Sequence, residues 1–200
     1  MSMQKWAFPA FALLMLLLPA LPVPDFWITQ SIYIGLYAIV ALGLVLLTGV
    51  SGLTSFGQAA FVGVGAYTAA FLAVKLGISP WLTLLVGVAL AVAAALVLGA
   101  ITLRMSGHYL PLATIAWGLA LNYTMANMEW LGKYDGILGI PPLSLFGQDL
   151  GTGRGLHPLV WAIALLAALA SIRLLDSRPG RAIRALKSGA TDYVLKANLM

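Results

Sequence analysis

Thr48-Gly-Val-Ser-Gly-Leu-Thr-Ser-Phe-Gly57 interrupts the longest uncharged run in the chain, the forty-nine residues between Asp25 and Lys75. Its flanks are apolar, whereas the segment itself is rich in glycine and hydroxyl groups, so it reads as a break between helices. A bilayer core takes about 20 helical residues, and forty-nine cannot form a single span. Working outward, charges mark the remaining segments. Nineteen uncharged residues lie between Lys5 and Asp25, twenty-eight between Lys75 and Arg104, twenty-four between Arg104 and Glu129, and eighteen between Arg154 and Arg173. This spacing predicts six hydrophobic helices, at 6–23, 27–48, 58–74, 81–103, 109–129 and 157–175. The third is short enough to be either a span or a re-entrant segment packed inside protein.

Composition points the same way. Of 200 residues, 62% are hydrophobic and 8% charged, against about 45–50% and about 25% in an average soluble domain. Eleven Lys and Arg with six Asp and Glu cannot cover a water-soluble surface of this size. A soluble enzyme, a disordered chain and a nucleic-acid-binding domain are therefore excluded, and the expected fold class is an all-α polytopic transmembrane helix bundle. The absence of cysteine excludes disulfides, thiolate metal sites and a cysteine nucleophile. Lys5 ahead of an apolar run resembles a signal peptide, but Leu18-Pro-Ala-Leu-Pro-Val-Pro24 lacks an Ala-x-Ala cleavage pattern, which favours an uncleaved first span. Trp6, Trp27, Trp81 and Trp130 fall at predicted span ends, as interfacial anchors do. The glycine-rich stretch 131–155, with Pro141-Pro142, reads as an ordered external loop.

Lys and Arg set the orientation. With Lys5 cytoplasmic, six crossings place Lys5, Arg104, Arg173, Arg178, Arg181, Arg184, Lys187 and Lys196 inside, and only Lys75, Lys133 and Arg154 outside. The expected organisation is a transmembrane region over 1–175, a cytoplasmic amphipathic segment over 176–191 and a short tail over 192–200. In the middle segment Asp176 or Ser177 can cap a helix whose first turn tolerates Pro179. At 100° per residue from Arg178, Ala182, Leu186, Ala190 and Ile183 fall at about 40–140°, and Lys187, Arg184 and Arg181 at about 180–300°. Such a helix either lies on anionic lipid or docks its apolar ridge in a groove of a cytoplasmic partner.

Polar residues within the predicted spans are the candidates for a solute route. Gln58 opens the third helix beside Ser51, Thr54 and Ser55, and a bare helix N-terminus suits a carboxylate. The small pairs Ala59/Gly63 and Gly65/Ala69 favour close helix packing, the competing explanation for the same residues. In the fifth helix Thr114 and Asn122 share a face with Gly118 between them, and either line a polar pathway or bond neighbouring helices. Arg104 and His108 read as a solvated cytoplasmic loop, and His157, beside Pro158, as a helix start that meets water.

Catalytic motifs are weak or missing. Gly49-Val-Ser-Gly52 reproduces the Gly-x-Ser-Gly string of rhomboid-type intramembrane proteases, whose serine needs a histidine in hydrogen-bond reach. His108 and His157 are the two histidines, and the rhomboid Ala-His-x-x-Gly pattern surrounds neither. Gly132-Lys133 is followed by Tyr134, so no phosphate-binding loop is formed there, and any ATP is hydrolysed by another chain. The sequence has no acidic pair, histidine cluster or metal-ligand spacing, so no cofactor or metal is expected.

Four segments carry a family resemblance: Leu47-Thr-Gly-Val-Ser-Gly-Leu-Thr-Ser-Phe-Gly-Gln-Ala-Ala-Phe-Val-Gly-Val-Gly-Ala-Tyr-Thr68, Leu103-Arg-Met-Ser-Gly-His-Tyr-Leu-Pro-Leu-Ala-Thr114, Gly136-Ile-Leu-Gly-Ile-Pro-Pro142 and Ser177-Arg-Pro-Gly-Arg-Ala-Ile-Arg-Ala-Leu-Lys187. In order and spacing they resemble the LivM-type permease subunit of bacterial branched-chain amino-acid importers, an ATP-binding-cassette family. The resemblance implies a LivH-like second permease subunit, two ATP-binding subunits and a periplasmic amino-acid-binding protein, all served from the inner-membrane lipid bilayer. Leucine, isoleucine or valine would be the solute, with urea or other amides carried by related members. Ser51, Ser55, Gln58, Thr114 and Asn122 stand as the pathway candidates from their polarity, and the resemblance makes the basic segment, with Arg181, Ile183, Arg184 and Leu186, the part that couples to the ATPase. The family continues into further spans after this segment, so an end at Met200 is expected to reflect a truncated reading frame, with a non-transporting remnant as the alternative.

Overall fold

The computed structural model describes residues 3–102, 109–145 and 148–187. Arg104, His108 and the tail 192–200 lie outside the described residues, as do the side chains of Leu186 and Lys187. Among the described residues seven α-helices run in chain order: α1 (Met3–Leu17), α2 (Asp25–Leu44), α3 (Gln58–Lys75), α4 (Pro80–Thr102), α5 (Tyr109–Asn127), α6 (Gly153–Asp176) and α7 (Arg178–Lys187). The first six coincide with the predicted spans to within a few residues. Four apolar stretches are long enough to cross a membrane: Asp25–Val50, Gln58–Lys75, Pro80–Thr102 and Gly153–Asp176. Phe8–Ala20 is a shorter apolar helix. At 19 residues α5 has the length of a span, but Thr114, Asn122, Thr124 and Asn127 dilute its apolar character. The chain is a multi-pass helical membrane protein.

Two compact units divide it, one drawn from Met1–Gly52 and Ser144–Met200, the other from Leu53–Leu143. In the first, α2 packs on α6 with the two helices parallel, as the successive pairs Ile28 with Gly153, Ser31 with His157, and Gly35 with Trp161 require. Gly35 permits the approach: a Cβ there would stand 3.0 Å from Val160 Cγ1 and 3.5 Å from the Trp161 ring. Ile28, Ile32 and Val160 form the apolar part of this seam. α1 runs antiparallel to α6 and sets Phe11 edge-on against Trp161, with ring centroids 5.7 Å apart. Beyond α2 the chain tightens into a π-turn at Val45–Val50, against which α7 lies.

The stretch expected to be only a loop carries more structure than its glycines suggest. A two-residue hairpin pairs β1 (Ser144–Leu145) with β2 (Gln148–Asp149), and α6 starts at Gly153, four residues before the predicted start. Thr152 accounts for the early start, because its Oγ1 accepts the Gly155 N–H at 3.4 Å and caps the helix. The extension carries Arg154 into a clamp. Its Nε donates to Asp25 Oδ1 at 2.8 Å, and its terminal nitrogens donate to the carbonyls of Pro19 (2.9 Å) and Val23 (2.7 Å). One guanidinium thus ties the α1–α2 connection to the start of α6, a fork geometry that Lys could not reproduce.

In the second unit α3 and α4 form an antiparallel hairpin. Gly77 makes the turn in the left-handed region, at φ +64°. The helices touch backbone to backbone: a Cβ on Gly87 would lie 2.8 Å from the Gly65 carbonyl oxygen and 3.6 Å from Ala69 Cβ. The pair Gly65/Ala69 is therefore a packing motif. Gly87→Ala is expected to cost about 1–3 kcal/mol, since a backbone oxygen cannot step aside as a side chain can. Gly99→Ala, where nothing lies within 4 Å of the added carbon, should be neutral or favourable; thermal unfolding in detergent separates the two.

Candidate functional site

The polar segment before α3 is held by α5. Phe56 N–H donates to Thr114 Oγ1 at 3.1 Å, and Thr114 O–H donates to the Pro111 carbonyl at 2.9 Å. Gly57 sits against this knot; a Cβ there would lie 3.3 Å from the Thr114 carbonyl oxygen. Gly57 N–H in turn donates to Ser55 Oγ at 3.4 Å. Ser55 and Thr114 are both buried, and Gln58, the first residue of α3, is half-buried. Three of the predicted pathway residues therefore converge on one point, where α3 begins beside α5. Two amides leading into α3 are already engaged, by Thr114 and Ser55, so this knot is a structural brace before it is an anion site.

Further along the same two helices the small pair Ala59/Gly63 opens a space. A cleft of about 130 Å³ is walled by Ala59, Gly63 and Tyr67 of α3 and by Gly118, Asn122 and Met125 of α5. Glycine and alanine create it by withholding side-chain volume, and Met125 Sδ fills part of it, 3.3 Å from where a Gly63 Cβ would be. Asn122 supplies a neutral amide to an otherwise mostly apolar wall. Its volume is close to the roughly 150 Å³ of cavities that admit a benzene-sized guest. The other polar groups of α5 turn inward on their own helix: Thr124 O–H donates to the Ala120 carbonyl and Asn127 Nδ2 to the Tyr123 carbonyl, both at 2.7 Å. For those two, helix satisfaction explains the residues without a pathway.

Ser51 belongs to the first unit. It is half-buried, and its hydroxyl donates to the Leu47 carbonyl at the end of the π-turn. His157 is not a solvated helix start, as the sequence suggested, but is fully buried between α2 and α6. Its Nε2 lies 3.0 Å from Ser31 Oγ, which also accepts the Trp161 Nε1–H at 3.0 Å. The correction has a simple cause: α6 begins four residues early, so His157 falls in its second turn and on the α2 face. The pairing commits one of the two histidines available to a serine protease to Ser31, not Ser51. Nδ1 of His157 has no hydrogen-bond partner among the described residues. A serine more than 120 residues from the histidine and the tryptophan carries no sequence pattern with them, and nothing in the one-dimensional chain signals this node.

At the C-terminal end of α6 the chain folds back sharply. Ser177 Oγ accepts the Gly180 N–H at 3.3 Å and so caps α7, as predicted for that position. Arg181 donates to the Asp176 carbonyl at 2.9 Å, and Arg184 to the Leu175 carbonyl at 2.5 Å. Both guanidiniums therefore cap the last turn of α6, where a helix leaves its carbonyls unsatisfied and the dipole favours cations. Both remain exposed, and Ile183 is half-buried.

No curated protein and no solved structure matches the chain. A family model does, over residues 27–189, and its description is "Branched-chain amino acid transport system / permease component". That range takes in every helix from the start of α2 to α7, with the α3–α5 knot and cleft and the capped elbow inside it, and the chain accordingly belongs to this permease family.

Proposed function

We propose that the chain is the LivM-like permease subunit of an inner-membrane ATP-binding-cassette importer for leucine, isoleucine or valine. A LivH-like subunit completes the pathway, two ATP-binding subunits hydrolyse ATP, and a periplasmic binding protein delivers the solute. The observation that carries this reading is the α3–α5 cleft: mostly apolar walls, one neutral amide at Asn122, and a volume suited to a branched aliphatic side chain. Ser55 and Thr114 hold the start of α3, where Gln58 stands, in place beside it, and Ser51 ends the π-turn of the other unit. The parallel packing of α2 on α6 supports six crossings, because parallel neighbours are separated by an odd number of spans and α3, α4 and α5 supply three. It also supports a cytoplasmic α7, which then shares a membrane face with Lys5 and Arg173.

In this reading α7 is the contact with the ATPase, with Ile183 and Leu186 on its apolar ridge and Arg181 and Arg184 fixing its angle through their bonds to α6. Proteoliposomes holding the chain with a LivH-like subunit and the ATPase should take up labelled leucine on addition of ATP and a loaded binding protein. Uptake of urea with no uptake of leucine would transfer the reading to an amide importer. Arg184→Glu places a carboxylate beside the Leu175 carbonyl and removes a cation from the docking face. It should lower ATPase co-purification by about tenfold, the 1.4 kcal/mol expected for one charged hydrogen bond, with membrane insertion unchanged. Undiminished co-purification would refute the coupling role.

A further inference from the structure

α2 presents a second polar stripe that is separate from the cleft and from the seam with α6. At 100° per residue from Ile28, the buried residues Ser31, Ile32 and Gly35 fall at about 300°, 40° and 340°. Gln30, Tyr33 and Tyr37 fall at about 200°, 140° and 180°, directly opposite. All three are exposed, Tyr33 at 53% and Tyr37 at 71%. Among the described residues none makes a hydrogen bond to their side chains. The stripe is narrow: Ile34 at about 240° and Leu36 at about 80° flank it with apolar, exposed surface.

Depth makes these residues unusual. Asp25, ion-paired to Arg154, marks the outer end of α2. At 1.5 Å per residue Gln30 lies about 7 Å, Tyr33 about 12 Å and Tyr37 about 18 Å further along the axis. Tyr33 can still direct its hydroxyl toward the interface, but Tyr37 stands near the middle of a core about 30 Å thick. Lipid tails offer no hydrogen-bond partner, and polar groups at that depth face protein or a water-filled cavity.

We infer that the Gln30–Tyr33–Tyr37 stripe is a wall of the water-filled translocation route, along which the backbone ammonium and carboxylate of an amino acid pass. Phenol and amide groups each both donate and accept, so they meet either end of a zwitterion. Being neutral, they attract it without trapping it, as a conducting route requires. The inference rests on the permease reading and adds residues to it.

The chain contains no cysteine, so single cysteines can be introduced without background. Gln30→Cys, Tyr33→Cys and Tyr37→Cys, with Ile34→Cys and Leu36→Cys as flanking controls, are made in the full chain and assembled with the second permease subunit and the ATPase. Each is treated with the anionic reagent sulfonatoethyl methanethiosulfonate. The stripe positions should react roughly tenfold or more faster than the flanks, because the thiolate forms only where water reaches it, and leucine should slow the reaction. Tyr37→Phe, which keeps the ring, should lower leucine uptake several-fold in the same complex. Equal, slow labelling at all five positions with uptake intact overturns the stripe while leaving the permease reading standing, since lipid or a neighbouring helix then covers it. A cysteine-free parent complex that takes up no amino acid overturns the permease reading and the stripe's role with it. Unchanged uptake by Tyr37→Phe overturns the hydrogen-bonding role.

Discussion

Trp161→Ala is expected to be the most damaging single substitution in the first unit, lowering stability by about 2–4 kcal/mol. The Trp161 ring fills the space beside Gly35, meets Phe11 edge-on and carries the N–H that Ser31 accepts. In a water-soluble core such a deletion costs about 3–5 kcal/mol, part of it transfer from water and part cavity. Lipid tails are as apolar as the core, so the transfer share largely falls away and the cavity and lost dispersion contacts remain. Trp161→Phe separates these contributions from the hydrogen bond. It keeps most of the packing and should cost about 1 kcal/mol, near the 0.6–1.7 found for interhelical bonds in membranes. Ser31→Ala should fall between the two, because it removes the partner of both Trp161 Nε1 and His157 Nε2. Reversible unfolding in mixed micelles measures all three. Equal losses for the Phe and Ala variants would show that the bond, and not the packing, holds α6 on α2.

Gly180→Ala should have the largest effect on the elbow. A single methyl at this position would lie 2.1 Å from the Leu174 carbonyl oxygen and 2.6 Å from Leu175 Cα. Both are backbone atoms of the helix that α7 folds back on, so the contact can be relieved only by opening the elbow. Opening it removes the carbonyl partners of Arg181 and Arg184 and turns α7 away from the angle at which it meets the π-turn at 45–50. The strain is expected to reach the upper end of the 1–3 kcal/mol typical of overpacking, or about a hundredfold loss in the folded-back population. Trypsin should then cleave at Arg181 or Arg184 faster, and retention of the ATPase should fall with it. Thermal stability of the α2–α6 seam, at the far end of α6, should change little. Pro179→Ala, at an exposed neighbouring site, is the control: it opens the Arg178 bond to trypsin but should leave cleavage at Arg181 and Arg184 and retention of the ATPase in place. Unaltered proteolysis in Gly180→Ala would mean that the elbow is already open in solution.

The two variants probe opposite ends of α6, and together they describe how that helix could serve transport. Its N-terminal half is fixed to α2 by packing and to the α1–α2 connection by Arg154; its C-terminal end is locked to α7 by three caps. A displacement of α7 by ATP-dependent movement of a partner would therefore be carried by α6 as a stiff element, with α2 and its polar stripe moving alongside. Coupling of this kind needs two discrete arrangements of a packed element rather than a flexible joint.

The spans were readable in the sequence because lipid imposes a single demand, about 20 residues free of charge, and seventeen charged residues in 200 leave little choice of where helices run. The α7 helix followed from its separated apolar and basic arcs together with Ser177. The small pairs on α3 were equally legible as close-packing sites, but not their partners: Gly65 meets Gly87 and Gly63 meets Met125, and only the folded hairpin and its neighbour decide that. Ser55, Gln58 and Thr114 were chosen singly for being polar at membrane depth, and the fold brings them to one knot.

Chain order and local chemistry thus determined the apolar helical elements and their approximate extents, since those depend on each residue's own transfer between water and lipid. Tertiary structure alone decided which polar atoms are partners. Ser31 with His157 and Trp161, and Arg154 with Asp25, are pairings across more than 120 residues. They exist because parallel helices place unrelated side chains side by side, and at the buried Ser31 node no water competes for the hydrogen bonds.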